Sequence, residues 1–594
     1  MVDYRRSHTC GALNTKDIGT SVTLSGWVHK RRDLGSLIFI DLRDRFGLTQ
    51  LVIDPKLIPA IHEAAAKIRH EWVISIKGEV FPRAQGMANA KMATGAIEIH
   101  VKELHILSSS KTPPFSISEE EGVNEELRLK YRYLDIRRGD IAKKLVTRHK
   151  AMMVIRNYMD KEGFLEIQTP ILAKSTPEGA RDYLVPSRVY PGNFYALPQS
   201  PQIFKQLLMV SGMDRYFQIA QCFRDEDLRS DRQPEFTQVD VEMSFCTPKE
   251  VMDLMEGLVK KVFKECAEIE IKSNFPHMPH KDCMEHYGTD RPDLRFGMPL
   301  VRLDSIAQNC SFSVFTDALK AKGCVKGLCV KEGASLSRKD IDGLTEFVSQ
   351  FGLKGLAWIK KAEEGYTSSV MKFFTPEQLD ATTHLMSAEV GDMILIGAGP
   401  GERINQGLDH LRRHIAKQRN LISPDDLKFL WVTEFPMFRY NSEEKRLESE
   451  HHPFTSPHVE DMDLLDKDPL SMRAEAYDLV LNGYELGGGS QRIHSGDLQE
   501  KIFQTLNLSP EQIKEKFGFF VEALKYGTPP HLGIALGLDR LIMLLTKTEN
   551  IRDVIAFPKT QKASDLMMQA PSRVAIEQLK ELEIKAEPTE ITWI

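Results

Sequence analysis

Along this chain, apolar residues alternate with polar ones in some stretches and recur every three or four residues in others. The strictest alternation runs from Thr237 to Phe245. Val239, Val241, Met243 and Phe245 fall on one side and Gln238, Asp240, Glu242 and Ser244 on the other, which predicts a strand. A second strand is expected over Tyr216 to Phe223, where apolar and polar residues mix at roughly period two. The loop between them is dense in charge: Arg224, Asp225, Glu226, Asp227, Arg229, Asp231, Arg232 and Glu235, with Gln233, Pro234 and Phe236 among them. Pattern alone describes a solvated hairpin with a charged tip. The polar face argues against that, since it carries acids and amides in place of the Lys and Thr of a solvent face. Arg224 stands at a strand end, where a guanidinium can fork onto phosphate oxygens.

Nearer the N-terminus, residues 20–107 read VTLSGWVHKRR, SLIFIDLRDR, TQLVID, a helical AIHEAAAKI, EWVISIKGEV and AIEIHVKELHIL. Five strands with a helix after the third predict an OB-fold barrel, a form that binds single-stranded nucleic acid with aromatic and basic side chains. Arg32, Phe39 and Gln50 are placed for that role, although Phe39, between Ile38 and Ile40, reads by pattern alone as core. The polar, Pro-rich and then acidic stretch 108–127 is a linker. A helix is expected over roughly 141–162, with Leu145, Met152, Ile155 and Tyr158 inward. Residues 298 to about 420 lose the alternating pattern and form a small α/β unit of their own, with strands CVKGLCV, GLAWIKK and DMILIGAG. Gly397, Gly399 and Gly401 there mark a turn after a buried strand rather than a phosphate loop.

At 594 residues the chain exceeds one hydrophobic core, and three or four domains are expected. No apolar run approaches the ~20 residues of a membrane span, and MVDYRRSHTC has no secretory pattern. The eight cysteines are scattered without zinc spacing, as in reduced thiols of a cytoplasmic protein with no membrane partner. The net charge of −6 opposes a nucleic-acid partner, but it is uneven. Residues 1–112 hold 16 Lys and Arg against 11 Asp and Glu, so a segment of about +5 is attached to a body of about −11.

The run FRDEDLRSDRQPEFTQVDVEMSF, residues 223–245, resembles the second signature of class II aminoacyl-tRNA synthetases, in the form found in bacterial-type aspartyl-tRNA synthetases. The segment around Pro170 is similar to the first signature and GLDR at 537–540 to the third, while GWVHKRRDLGSLIFIDLRDRFG resembles the anticodon-binding barrel of that family. The resemblance implies an OB-fold barrel over 1–110, a hinge over 111–140, and an antiparallel-sheet catalytic domain in two parts, 141–290 and 423–560. It also implies an inserted α/β domain over 291–422 and a C-terminal extension over 561–594.

The implied activity is an ATP-dependent, AMP-forming aspartate–tRNA ligase with ATP as substrate and Mg²⁺ as cofactor. Its implied partners are L-aspartate, tRNA(Asp) and a second copy of the chain docked through the Pro170 region. Residue by residue, the resemblance assigns catalysis to Arg224, bridging the α-phosphate and the aspartate carboxylate, and to Arg540, on the γ-phosphate and adenine. Asp225, Glu226 and Gln233 are assigned to the nucleotide, Phe236 to stacking on adenine, and Glu485, Gly537, Leu538 and Asp539 to the rest of the ATP site. Glu178, Gln202, Lys205, Asp240 and His451 are assigned to aspartate, with Arg492 forking onto its β-carboxylate. Asp478 and Glu485 are the implied Mg²⁺ ligands. Arg32, Phe39 and Gln50 are assigned to anticodon bases. Leu34, where relatives that charge both tRNA(Asp) and tRNA(Asn) commonly carry His, resembles the type specific for tRNA(Asp), whereas His29 leaves the relaxed type open. A non-catalytic RNA-binding paralogue and a ligase acting on another acceptor are the alternatives; the ATP-site Arg, the acids and the barrel are all present.

Overall fold

The computed structural model describes residues 4–118, 122–176 and 179–587. They fall into two compact units, one built from the chain up to Val146 with Arg552–Arg573, the other from Thr147–Ile551 with the segment from Val574.

In the first unit, β1 (Ser21–Leu34), β2 (Leu37–Asp44), β3 (Gly47–Ile53), β4 (Val73–Pro82) and β5 (Ile97–Ser108) close into a barrel of order β1-β2-β3-β5-β4, with helix α1 (Pro59–Ala65) after the third strand. This is the OB-fold that the strand order predicts. Period-two alternation sends Leu24, Val28, Ile38, Ile40, Leu42, Leu51 and Ile76 into one core. Phe39 therefore faces the other side, half-buried on the outer surface rather than in the core where pattern alone puts it. Two short helices, α2 (Glu125–Lys130) and α3 (Arg132–Asp135), follow and lead into α4 (Gly139–Lys161).

The second unit is built on an eight-stranded sheet. Its strands are β6 (Leu165–Glu166), β7 (Arg215–Phe223), β8 (Glu235–Ser244), β9 (His277–Pro279), β10 (Phe429–Thr433), β11 (Ala476–Leu481), β12 (Tyr484–Gln491) and β13 (His531–Gly537), in the order β9-β10-β11-β12-β13-β8-β7-β6. All pairs are antiparallel except the two at the edges. Central β8 buries both faces: Val239, Val241 and Met243 on one side, Asp240 and Glu242 on the other. The alternation ends one residue earlier than the sequence pattern suggests. Phe245 has φ +54 and is 74% exposed, so it leaves the strand as the chain turns toward helix Pro248–Ala267. The inserted segment forms a five-stranded sheet, antiparallel throughout, with a core on each face, one around Leu344, Leu408 and Leu411 and the other around Phe315, Val370 and Leu379. GAGPGER is the turn from its Met393–Gly399 strand into helix Gly401–Gln418. All eight cysteines are free thiols. Among the described residues, no helix is long and apolar enough to cross a membrane.

Candidate active site

A cavity of about 660 Å³ opens over the polar face of β8 and is lined from β12, β13, the β7–β8 loop and the His451–His452 loop. Its floor is a ladder of buried charge. Lys205, on helix α5 (Gln202–Val210), reaches Asp240 at 2.9 Å and Glu242 at 3.4 Å, and all three side chains are almost wholly buried. Arg492 closes the ladder with Nε 2.9 Å from Glu242 Oε1 and Nη2 3.2 Å from Oε2. Such charges persist out of water only because each is paired. Strand register makes room for them: Glu242 lies opposite Gly533, where a Cβ would stand 1.8 Å from Oε2. Burial raises the Asp240 carboxyl to about 6 although Lys205 opposes it, and its Oδ1 has no donor among the described residues. Nearby, Gln202 Nε2 has no acceptor among the described residues. A donor and an acceptor without partners among the described residues suit a zwitterionic ligand.

Arg224 occupies the rim, its guanidinium 5.0 Å from the Phe236 ring centroid and in no ion pair among the described residues. Opposite, Arg540 is held by Glu485 O at 2.9 Å and Asp231 Oδ2 at 3.3 Å. Arg224 and Arg540 at the walls offer guanidiniums to an extended anion, while Lys205 and Arg492 on the floor are matched by Asp240 and Glu242. Between them Asp478 is buried with no donor to its Oδ1 among the described residues, and burial together with Glu485, Asp290 and Glu450 pushes its carboxyl well above the usual range. Glycines bring the chain close here: a Cβ at Gly488 would lie 2.6 Å from Asp478 Oδ1 and 3.7 Å from Glu485 Oε1. Crowded acids, with Arg540 Nη1 3.9 Å from Glu485 as a distant counter-charge, fit a hard divalent cation. Among the described residues no group of three or more metal-ligating side chains gathers, so Asp478 and Glu485 would share such an ion with water or phosphate oxygens.

Residues 124–561 match the family model "tRNA synthetases class II (D, K and N)", and residues 22–107 match an OB-fold nucleic acid binding domain. The chain belongs to the class II tRNA synthetases of this D, K and N group. It is 66% identical to a Protochlamydia amoebophila protein named Aspartate--tRNA(Asp/Asn) ligase, over 100% of this chain and 99% of that one. It is 57% identical to the protein of the same name from Chlamydia caviae, over 98% and 99%. Among solved structures, asparaginyl-tRNA synthetase from Pyrococcus horikoshii complexed with asparaginyl-adenylate shares the fold at TM-score 0.58 and 19% identity, covering 93% of this chain and 98% of that one.

The synthetase cavity gathers most of the residues singled out from the sequence: Gln202, Lys205, Arg224, Asp225, Glu226, Gln233, Phe236, Asp240, His451, Asp478, Glu485, Arg492, Gly537, Asp539 and Arg540 all line it. Glu178 lies outside the described residues. One expectation is corrected. Leu538 is fully buried in the core and is not among the lining residues, because it begins helix α6 (Leu538–Leu545) on its apolar side. Asp539, on the cavity lining, also serves the helix itself. Its carboxylate pairs with Arg148 of α4 and accepts the Thr237 N–H at 2.7 Å, which fixes the helix that carries Arg540.

Three partners were not singled out from the sequence. Glu242 anchors Arg492, Asp231 anchors Arg540, and His452 accepts from Arg492 Nη1 at 2.9 Å. The strict alternation around Glu242 offered a signal for the first; Asp231 stood in the charge-dense loop and His452 in a vicinal His pair, but nothing local tied them to Arg540 and Arg492. Burial lowers His451 to about 4, and its ring packs edge-on against Phe435 at 4.6 Å.

On the barrel, Arg32 and Phe39 are cross-strand neighbours, as are Asp41 and Gln50. Arg32 donates to Asp41 at 2.8 Å and to Gln50 at 3.3 Å. The three anticodon candidates thus share one outer face. Leu34 is 71% exposed at the β1–β2 hairpin, beside Gly35 at φ +60.

Proposed function

We propose that this synthetase ligates L-aspartate to tRNA(Asp). The observation that carries this reading is the buried ladder of Lys205 and Arg492 with Asp240 and Glu242 at the cavity floor, a balanced set of charges that offers partners to both the carboxylate and the ammonium of an amino acid. Aspartate and asparagine have nearly the same shape, so only charge and hydrogen bonding separate them, and polar contacts of this kind discriminate by roughly 10⁴–10⁵. In the first step the aspartate α-carboxylate attacks the α-phosphorus of ATP, and pyrophosphate leaves with the electron pair of the broken P–O bond. Arg224 neutralises the α-phosphate, Arg540 the leaving phosphates, and Phe236 gives adenine a stacking face. In the second step the terminal ribose hydroxyl of tRNA attacks the adenylate carbonyl and AMP departs. Catalysis is by positioning and charge stabilisation, with no side-chain nucleophile. Mg²⁺ held by Asp478 and Glu485 would supply further charge neutralisation on the phosphates.

A second reading, charging of tRNA(Asn) as well, is favoured by the Aspartate--tRNA(Asp/Asn) ligase name of the relatives, whereas Leu34 supports strict choice. Pyrophosphate exchange into ATP, measured without tRNA across aspartate, asparagine, glutamate and lysine, should proceed with aspartate alone and stop on chelation of Mg²⁺. Exchange with asparagine would sink the assignment. Charging of purified tRNA(Asp) and tRNA(Asn) then decides between the two acceptor readings.

Exposed Leu165, Ile171 and Leu172 beside Pro170 support a homodimer through this face. Sedimentation should give about twice the chain mass of 67.5 kDa; a concentration-independent monomer would contradict it.

A further inference from the structure

Within the first unit, a small cluster of buried charge joins the barrel to the hinge helices. Glu71 stands just before β4 with φ +62, a left-handed conformation uncommon for a residue with a side chain, and its N–H donates to Val28 O at 2.8 Å. That geometry holds its nearly inaccessible carboxylate between two guanidiniums. Arg43 of β2 donates to Oε2 at 2.8 Å, and Arg137, just after α3, donates to the same oxygen at 3.0 Å. Arg137 also lies 5.2 Å from the ring centroid of Trp27, the cross-strand neighbour of Arg43. Arg43 Nη1 is 2.9 Å from His29 Nδ1, so the pair is tied into the barrel wall.

The other side of the hinge is as firmly held. Fully buried Asp135 pairs with Arg128 and Arg132, and Arg132 donates to the carbonyls of Arg552, Ile555 and Ala556. That segment directly follows Ile551, which lines the catalytic cavity.

Resting on the reading as a tRNA ligase, we propose that Glu71 and Arg137 are positioning residues that latch the barrel onto the hinge, so that tRNA bound at its anticodon is held in register for charging. A shared carboxylate between two arginines fixes direction as well as distance, and the Trp27 face removes the remaining rotation of the Arg137 plane. Neither residue touches the aminoacylation cavity.

The test uses full-length Glu71→Gln, Arg137→Ala and Arg137→Lys. Three activities are compared: aspartate-dependent exchange without tRNA, charging of full tRNA(Asp), and charging of an acceptor minihelix that lacks the anticodon arm. Exchange and minihelix charging should be unchanged. For full tRNA, kcat/KM should fall roughly tenfold in Glu71→Gln and Arg137→Ala, chiefly through KM, as expected for losing a hydrogen bond to a charged group. Arg137→Lys should fall between, since it keeps the charge but not the flat face. Equal losses on full tRNA and minihelix would mean a general structural role and overturn the latch, as would undiminished charging of full tRNA. If the wild-type chain shows no aspartate-dependent exchange, the ligase reading itself fails and the latch falls with it.

Discussion

Replacing Arg224 by alanine is expected to lower aspartate-dependent pyrophosphate exchange by about a thousandfold, the upper range for removing one preorganised donor from a developing charge. The reason lies in what Arg224 lacks. Its guanidinium sits at the cavity rim against Phe236 and makes no ion pair among the described residues, so its charge is available to a ligand. For the same reason folding should be little affected, within about 0.5 kcal/mol by denaturant titration. Arg224→Lys should restore little, because an ammonium cannot fork onto two oxygens. A variant that keeps most of its exchange activity would show that the two-step mechanism is drawn around the wrong cation.

Arg492→Met should abolish the same exchange and, unlike the first change, also destabilise the fold. Arg492 is buried and bidentate on Glu242, so its loss strands a carboxylate in a dry site. Breaking such a pair costs about 3–5 kcal/mol, and the low end is expected here because Lys205 remains 3.4 Å from Glu242. Adding Glu242→Gln should recover most of the stability and none of the exchange. Recovery of activity in the double variant would remove Arg492 from substrate binding.

The pH dependence has a definite sign. Burial raises the Glu242 carboxyl, but Arg492 and Lys205 outweigh it and hold it below its ordinary value. Its contribution is therefore present above the unfolded value and lost as pH falls through the lowered folded one. The stability gap between wild type and Arg492→Met, followed by denaturant midpoint, should narrow on acidification.

Much of this was written locally. Alternation along VTLSGWVHKRR and its neighbours determined the barrel strands, because a period of two forces one face inward whatever packs on it. The signature around Arg224 and GLDR marked the cavity, since a continuous run of residue types at set spacing carries chemistry before it carries shape. Tertiary structure decided the rest. Pattern put Phe39 between two core residues, yet its neighbours' inward turn sends it to the outer face beside Arg32. Pattern extended β8 to Phe245, which a left-handed turn excludes. Asp539 belongs to a nucleotide signature, but the nearest donors, Arg148 and the Thr237 N–H, come from 391 and 302 residues away. Arg492 and Glu242 are likewise 250 residues apart. Periodicity reports which side of an element is dry, whereas the partner of a buried charge depends on which distant strand lies beside it, and that only the folded chain determines.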